Sequence, residues 1–277
     1  MTRPQPKIFL GAAILEAGRG GIARVARLTA QVLARRGADI DVASLLDHRP
    51  MTIAGHDVTR ANGCKLAFVA HCQRAALSRS HFIFDSVGLA RSRPGFGIVR
   101  KPRAIWMHGI EVWHRARPGA LRSLAGADLL LVNSHFTLRQ HQALHGPRPS
   151  ARVCWLATEE DDTPPAAPVG NGPPTVLILG RIDDLENYKG HQELVDCWET
   201  VVRAVPDARL VVAGGGPGLP ALQRRAQHSP AAASIECLGH VPETEIAHVW
   251  RRASVLAMPS RKEGFGLVYI EAMRHGL

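Results

Sequence analysis

Thr175–His228, TVLILGRIDDLENYKGHQELVDCWETVVRAVPDARLVVAGGGPGLPALQRRAQH, decides the fold. The apolar run Thr175–Leu179 is too short for a helix and is rich in β-formers, so it reads as a strand. Gly190–Val205 follows with apolar residues at helical spacing. Arg209–Ala213 is a second apolar run and ends on Gly214-Gly215-Gly216, before an amphipathic segment over Leu219–His228. Strand, helix, strand, helix in this order predicts a parallel sheet with helices on its faces.

The alternation continues towards the carboxyl end. Ile235–Leu238 reads as a strand, Glu243–Arg251 as a helix, Ser254–Met258 as a strand, and a last helix starts near Gly266. Four strands are fewer than a doubly wound domain usually has. Before Thr175, the stretch Ala157–Pro174 (ATEEDDTPPAAPVGNGPP) lacks periodicity and is rich in acid, proline and glycine. It reads as a connection between domains. The expected division is a first domain over 1–160, a linker over 161–174 and a second domain over 175–277.

The first half alternates in the same way. Ile8–Ile14, Ile40–Leu45, His81–Asp85, Arg103–His108 and Leu129–Asn133 read as strands, and Val153–Leu156 as the strand closing this half. Helices are expected over Gly21–Arg36, with Val25, Leu28, Val32 and Leu33 on the buried face, over Ala61–Ser80, and over Ser134–Leu144 with Ser134 as its cap. Gly37 stops the first of them.

Composition narrows the class. Of 277 residues 45% are hydrophobic, as in an ordinary globular protein, and no apolar stretch is long enough to span a bilayer. The start lacks the long apolar core of a signal peptide, so a cytoplasmic protein is expected. The five cysteines, Cys64, Cys72, Cys154, Cys197 and Cys237, show no zinc or C-x-x-C spacing, so reduced, mostly buried thiols are expected. The net charge of +10 is uneven. Residues 1–150 hold 22 Lys/Arg against 8 Asp/Glu, and the rest 12 against 16. Such a basic half suits an anionic partner, or is the solvated surface of an arginine-rich protein. Arg19, Arg24, Arg27, Arg35 and Arg36 crowd one helix and its entrance, which would suit an anionic membrane face.

Ligands of doubly wound folds sit at the carboxyl ends of strands, so the residues that follow the apolar runs are the candidates. Gly18-Arg19-Gly20-Gly21 opens a helix, where backbone amides and the helix terminus favour an anion. Gly18-x-Gly20-x-x-Ala23 also fits the dinucleotide fingerprint, with Asp39 or Asp41 as the ribose acid. Leu15-Glu16-Ala17, however, adds loop that this fingerprint lacks. Gly180, Arg181 and Lys189 follow a strand and suit a diphosphate through a planar fork and a point charge. The acidic Asp183-Asp184-Leu185-Glu186 between them is expected to point away. Glu263-Gly264-Phe265-Gly266 offers amides at a helix start. Glu271, eight residues after Glu263, is expected about two turns into the helix, with both carboxylates near one face. His108-Gly109-Ile110-Glu111 follows a strand and suits a cleft, although a lone histidine is as often structural.

Together these residues resemble glycosyltransferase family 4, retaining enzymes of the GT-B fold. The likeness rests on LILGRIDDLENYKGHQELVDCW (177–198), LVVAGGGP (210–217) and LGHVPETEIAHVWRRASVLAMPSRKEGFGLVYIEAMRHGL (238–277). These hold the family's Glu-x7-Glu as Glu263 and Glu271, its Gly-Arg…Lys as Arg181 and Lys189, and its glycine turn as Gly214–Gly216. Gly20-Gly21, His108-Gly109-x-Glu111 and Val132-Asn133-Ser134 extend it more loosely into the first half.

The resemblance implies an α/β, GT-B-like architecture: two Rossmann-like parallel-sheet domains facing across a cleft. The family pattern continues past a match to EAMRHGL, so the second domain is expected to be incomplete, which would lower stability and could abolish activity. The resemblance further implies that Arg181 and Lys189 neutralise a donor diphosphate, with Glu263 on the donor sugar, Glu271 on the ribose and His108 near the sugar. Gly20, Gly21, Gly180, Gly214, Gly264, Phe265 and Gly266 would line the donor. It implies no cofactor and no metal. The implied partners are a nucleotide-sugar donor and an acceptor glycan or glycolipid, with room for peripheral contact with an anionic membrane at its inner face, and no nucleic acid. A nicotinamide oxidoreductase and a non-catalytic sugar-nucleotide-binding fragment are the alternative readings.

Overall fold

The computed structural model describes residues 5–92, 100–113, 118–159, 172–183 and 188–277. The chain divides into two compact units, Met1–Glu159 and Glu160–Leu277. Ala157–Glu159 therefore close the first unit, while most of the expected linker lies outside the described residues.

In the first unit the order is β1 (Lys7–Ala12), α1 (Gly21–Arg35), β2 (Asp39–Ser44), β3 (Thr52–Ile53), β4 (His56–Arg60), α2 (Lys65–Ala75), β5 (His81–Phe84), β6 (Arg103–Met107), α3 (Ile110–Trp113), α4 (Pro118–Ala125), β7 (Leu129–Val132), α5 (His135–His145) and β8 (Ala151–Val153). The sheet runs β3-β4-β2-β1-β5-β6-β7-β8. Its pairings are parallel except for the β3–β4 hairpin. Both faces of β1 are buried: Phe9 packs with Phe82, Phe84 and Phe68 on one side, Ile8 and Leu10 with Ile40 and Val42 on the other. Burial on both faces is what an apolar run without alternation encodes.

The second unit holds β9 (Thr175–Leu179), α6 (His191–Ala204), β10 (Arg209–Ala213), α7 (Leu219–Gln227), β11 (Ile235–Gly239), α8 (Glu243–Arg252), β12 (Val255–Leu256) and α9 (Leu267–Arg274). Its parallel sheet runs β11-β10-β9-β12. Trp198 of α6 is buried on Ile178, Leu210 and Val212, and its indole N–H reaches Ser234 Oγ at 2.9 Å. Trp250 of α8 packs on the opposite face with Leu177 and Val211.

Several expectations are corrected. The buried face of α1 is Ala23, Val25, Ala26 and Ala30, and Val32 is exposed, because small side chains let the helix approach the sheet. The helix expected over Ala61–Ser80 is shorter, and β8 sits earlier than Val153–Leu156. Cys64, Cys154 and Cys197 are exposed, and only Cys72 is fully buried. No helix among the described residues is long and apolar enough to cross a membrane.

Candidate functional site

In both units the chain enters the sheet at an interior strand and later changes direction. In the second unit it runs from β9 outward through β10 and β11, then returns to pair β12 on the other side of β9. The segments after β9 and β12 thus leave neighbouring strands for opposite sides of the sheet, which opens a crevice at their carboxyl ends.

Gly180 follows β9, and its amide donates to the Ala213 carbonyl at 3.0 Å. A Cβ on Gly180 would stand 3.2 Å from Lys189 Cδ, so the lysine stem lies along this backbone. Lys189 Nζ donates to Glu263 Oε1 at 3.0 Å, and Ser260 Oγ donates to the same oxygen at 3.2 Å. Lys189 and Glu263 are each about three-quarters buried, with side-chain exposures of 23% and 24%. The two loops are also tied through backbone: the Arg261 amide donates to the Tyr188 carbonyl at 2.7 Å. Gly190 lies so close to Pro259 that a Cβ would stand 2.4 Å from its Cγ.

Gly266 caps α9 at φ +82°, and the Tyr269 ring fills the space where a side chain would stand. The Tyr269 hydroxyl donates to the Met258 carbonyl at 2.9 Å. Burial first, and then the Glu263 carboxylate, push the phenol upward. Glu263 precedes α9 and Glu271 lies only a little over one turn into it, so the expected two-turn helical spacing does not hold. Gly264, Phe265 and Glu271 are half-buried in and after the same turn.

Arg181 is exposed and pairs with Asp183 Oδ2 at 2.8 Å, which corrects the expectation that this acid points away. Residues 184–186 lie outside the described residues. Gly214 has a steric part: its amide donates to the Gly239 carbonyl at 2.8 Å, and a Cβ on it would stand 1.8 Å from the Gly180 carbonyl oxygen.

His191, the first residue of α6, is buried. It hydrogen-bonds the Gly180 backbone, while its Nε2 is buried with no partner among the described residues. Burial, followed by the Lys189 charge, pushes its pKa down to about 4.

In the first unit the direction changes between β1 and β5. Asp85, just past β5, accepts from the Ala13 amide at 2.7 Å through Oδ2, and its buried Oδ1 has no hydrogen-bond partner among the described residues. Burial outweighs the bonds from Ala13 and Ser86 and pushes the carboxyl up to about 6. The Asp85 carbonyl accepts from His108 Nε2 at 2.6 Å. A carbonyl only accepts, so the proton of a neutral His108 sits on Nε2 and Nδ1 keeps a lone pair. His108 stacks on Trp106 at 5.9 Å and 14°. Its amide bonds Glu111 and its carbonyl accepts from Asn133. Burial holds the imidazole below its usual pKa, with Glu111 opposing.

Gly20 and Gly21 are exposed at the start of α1, and no side chain among the described residues caps that start. Asp39 is paired with Arg79 at 2.5 Å and Asp41 with His71 at 3.2 Å, so both candidate ribose acids are engaged. Of the five arginines at α1, Arg24 and Arg27 bond Glu159, and Arg19 lies 3.7 Å from Glu16. No group of three or more His, Cys, Asp or Glu among the described residues is arranged to hold a metal.

The structure thus brings together Gly180, Lys189, Glu263 and Gly214 in one unit, and ties His108 to the stem of the Gly20-Gly21 turn in the other. Sequence reasoning missed Asp85, His191, Ser260 and Tyr269. The signal for Asp85 was there, a carboxylate closing an apolar strand. His191 reads as an ordinary first-turn residue.

Residues 173–277 match the family profile described as Glycosyl transferases group 1. Over 190 residues the chain is 28% identical to a GDP-mannose-dependent monoacylated alpha-(1-6)-phosphatidylinositol monomannoside mannosyltransferase of Corynebacterium glutamicum, covering 61% of this chain and 49% of that one. It is 30% identical, with the same coverage, to the GDP-mannose-dependent alpha-(1-6)-phosphatidylinositol monomannoside mannosyltransferase of Mycolicibacterium smegmatis. The chain spans about half the length of these curated relatives. Among solved structures, Anabaena HepE with UDP and glucose matches at a TM-score of 0.75 and 15% identity, covering 98% of this chain and 79% of that one. The lipopolysaccharide outer core galactosyltransferase WaaB matches at 0.67 and 17%, covering 98% and 78%. The fold is α/β with parallel sheets, of the GT-B glycosyltransferase type.

Proposed function

We propose that the chain binds a nucleoside-diphosphate sugar and belongs to a retaining, metal-independent glycosyltransferase that moves the sugar to an acceptor hydroxyl. The observation that carries this is the Lys189–Glu263 pair, seated on Gly180 where the second sheet changes direction.

A lysine ammonium has three donors and Glu263 engages one, which leaves others for a diphosphate oxygen. Arg181 adds a second cation. Its side chain is 66% exposed and, among the described residues, held by a single pair with Asp183, so it is free to turn towards a ligand. Both would meet the charge that develops on the leaving diphosphate, in the place a metal would otherwise take. The remaining oxygen of Glu263 would accept from a sugar hydroxyl and Glu271 from the ribose. The amides of Gly264, Phe265 and Gly266 would face phosphate and sugar, and those of Gly20 and Gly21 would offer bonds to a phosphate. His108, neutral and stacked, would offer Nδ1 to the donor sugar. The leaving phosphate would take the acceptor proton on the same face, which preserves the anomeric configuration.

Glycolipid substrates in the names of the mycobacterial and corynebacterial relatives support an acceptor of that class. With it go a role in cell-envelope synthesis and a cytoplasmic protein that touches the inner membrane face.

Calorimetry with GDP, UDP and ADP, each with and without EDTA, tests the reading. One diphosphate binds, and EDTA leaves its affinity unchanged. Lys189→Ala weakens it about tenfold or more, the loss of one charge-assisted bond. Glu263→Gln keeps diphosphate affinity but loses the preference for the sugar-bearing form. Binding of NAD in place of all three diphosphates would sink the proposal.

A further inference from the structure

The backbone between β1 and α1 is irregular, and charged side chains from distant parts of the first unit satisfy it. The Ala13 amide donates to Asp85. The Leu15 and Glu16 amides donate to Asp47 at 2.7 and 3.2 Å, and Ser44 Oγ holds the same carboxylate at 2.5 Å. The Leu15 and Glu16 carbonyls accept from a single nitrogen, Arg27 Nη1, at 3.0 and 3.1 Å. The rest of that guanidinium faces Glu159: Nε reaches Oε1 and Nη2 reaches Oε2, both at 2.7 Å. Arg24 Nε adds a bond to Oε2 at 3.1 Å. Arg27 is 12% exposed and Glu159 15%, so solvent screens this cluster weakly.

The tip beyond this stem is bare. Gly18 and Gly20 have φ of +74° and +93°, and a Cβ on either would meet nothing within 4 Å among the described residues. Among the described residues, the contacts that set where the tip lies are therefore those of the stem. A planar fork bonds a carboxylate along one edge and two carbonyls with its other nitrogen, an arrangement that a lysine point charge does not reproduce.

We propose that Arg27, fixed by Glu159, is a positioning residue. It holds the Leu15–Glu16 stem so that the Gly18–Gly21 tip presents the first amides of α1 to the donor phosphate. The last residue of the first unit thereby governs a loop near its beginning. This rests on the reading of that tip as donor-facing.

The test is hydrogen exchange at the Leu15 and Glu16 amides of the free full-length chain, paired with calorimetry using the diphosphate that binds best. Arg27→Lys and Glu159→Gln raise exchange there about tenfold, leave β6 and β7 unchanged, and weaken the diphosphate severalfold. Arg35→Gln, at the far end of α1, changes neither. A brace that serves only to anchor Glu159 predicts that Arg27→Lys, which keeps the ion pair, exchanges like the parent. That result would overturn the proposal, as would faster exchange with undiminished affinity. A parent chain that binds no diphosphate refutes the donor reading instead, and the exchange data still decide whether Arg27 sets the stem.

Discussion

Gly214 and Gly18 look alike in the sequence, each a glycine in a turn after a strand. A side chain on Gly214 would strike the Gly180 carbonyl, a backbone atom that cannot rotate away. Gly214→Ala should cost the second unit more than about 3 kcal/mol, since overpacking here forces two strand ends apart. Gly18→Ala meets no neighbour among the described residues and costs about 1 kcal/mol for its left-handed backbone. Thermal unfolding of the two variants checks the contrast. Motif spacing located the Gly180, Lys189 and Glu263 cluster because strand ends are where apolar runs stop. It could not say that Lys189 bonds Glu263, that Asp183 turns onto Arg181, or that Gly214 acts by being small. Those depend on where loops from distant strands meet.

Helix ends and strand lengths show the same division. Ser134 follows an apolar run and precedes a helical segment, and its hydroxyl accepts from the Thr137 amide at 3.1 Å as a cap should. Ser134→Ala should destabilise the first unit by about 1 kcal/mol, read as a shift in its melting temperature, with the second unit unaffected. The main strands were legible because both faces are buried and the runs are continuously apolar. The β3–β4 hairpin was not, since Thr52–Ile53 is too short to show a period and HDVTR is mostly polar. The α1 face was misread because hydrophobicity weights Val32 and Leu33 above the alanines that the sheet selects for closeness.

At the scale of the chain, two buried groups titrate in opposite senses. Asp85, in the first unit, is raised from 3.8 to about 6. Between these values the folded state keeps a proton that the unfolded state has released. Its stabilising contribution is therefore full below 3.8 and lost as pH rises through about 6. His191, in the second unit, is lowered from 6.5 to about 4. There the unfolded state binds the extra proton, so its contribution is full above 6.5 and lost as pH falls towards 4. Each amounts to about 3 kcal/mol over its window. Acidification from pH 6.5 to 4 should move the two calorimetric transitions in opposite directions. Asp85→Asn should flatten the first unit's response and His191→Asn the second's.

The second sheet is begun at an interior strand, and the order of synthesis inherits that fact. β9 gains β10 soon after it is made, but its other flank stays bare until Val255 and Leu256 leave the ribosome. Through that interval a nascent chain displays an unpaired ladder of amides and carbonyls to every neighbour on the same message. Slow translation between β11 and β12 should therefore favour clumping of nascent chains over productive folding.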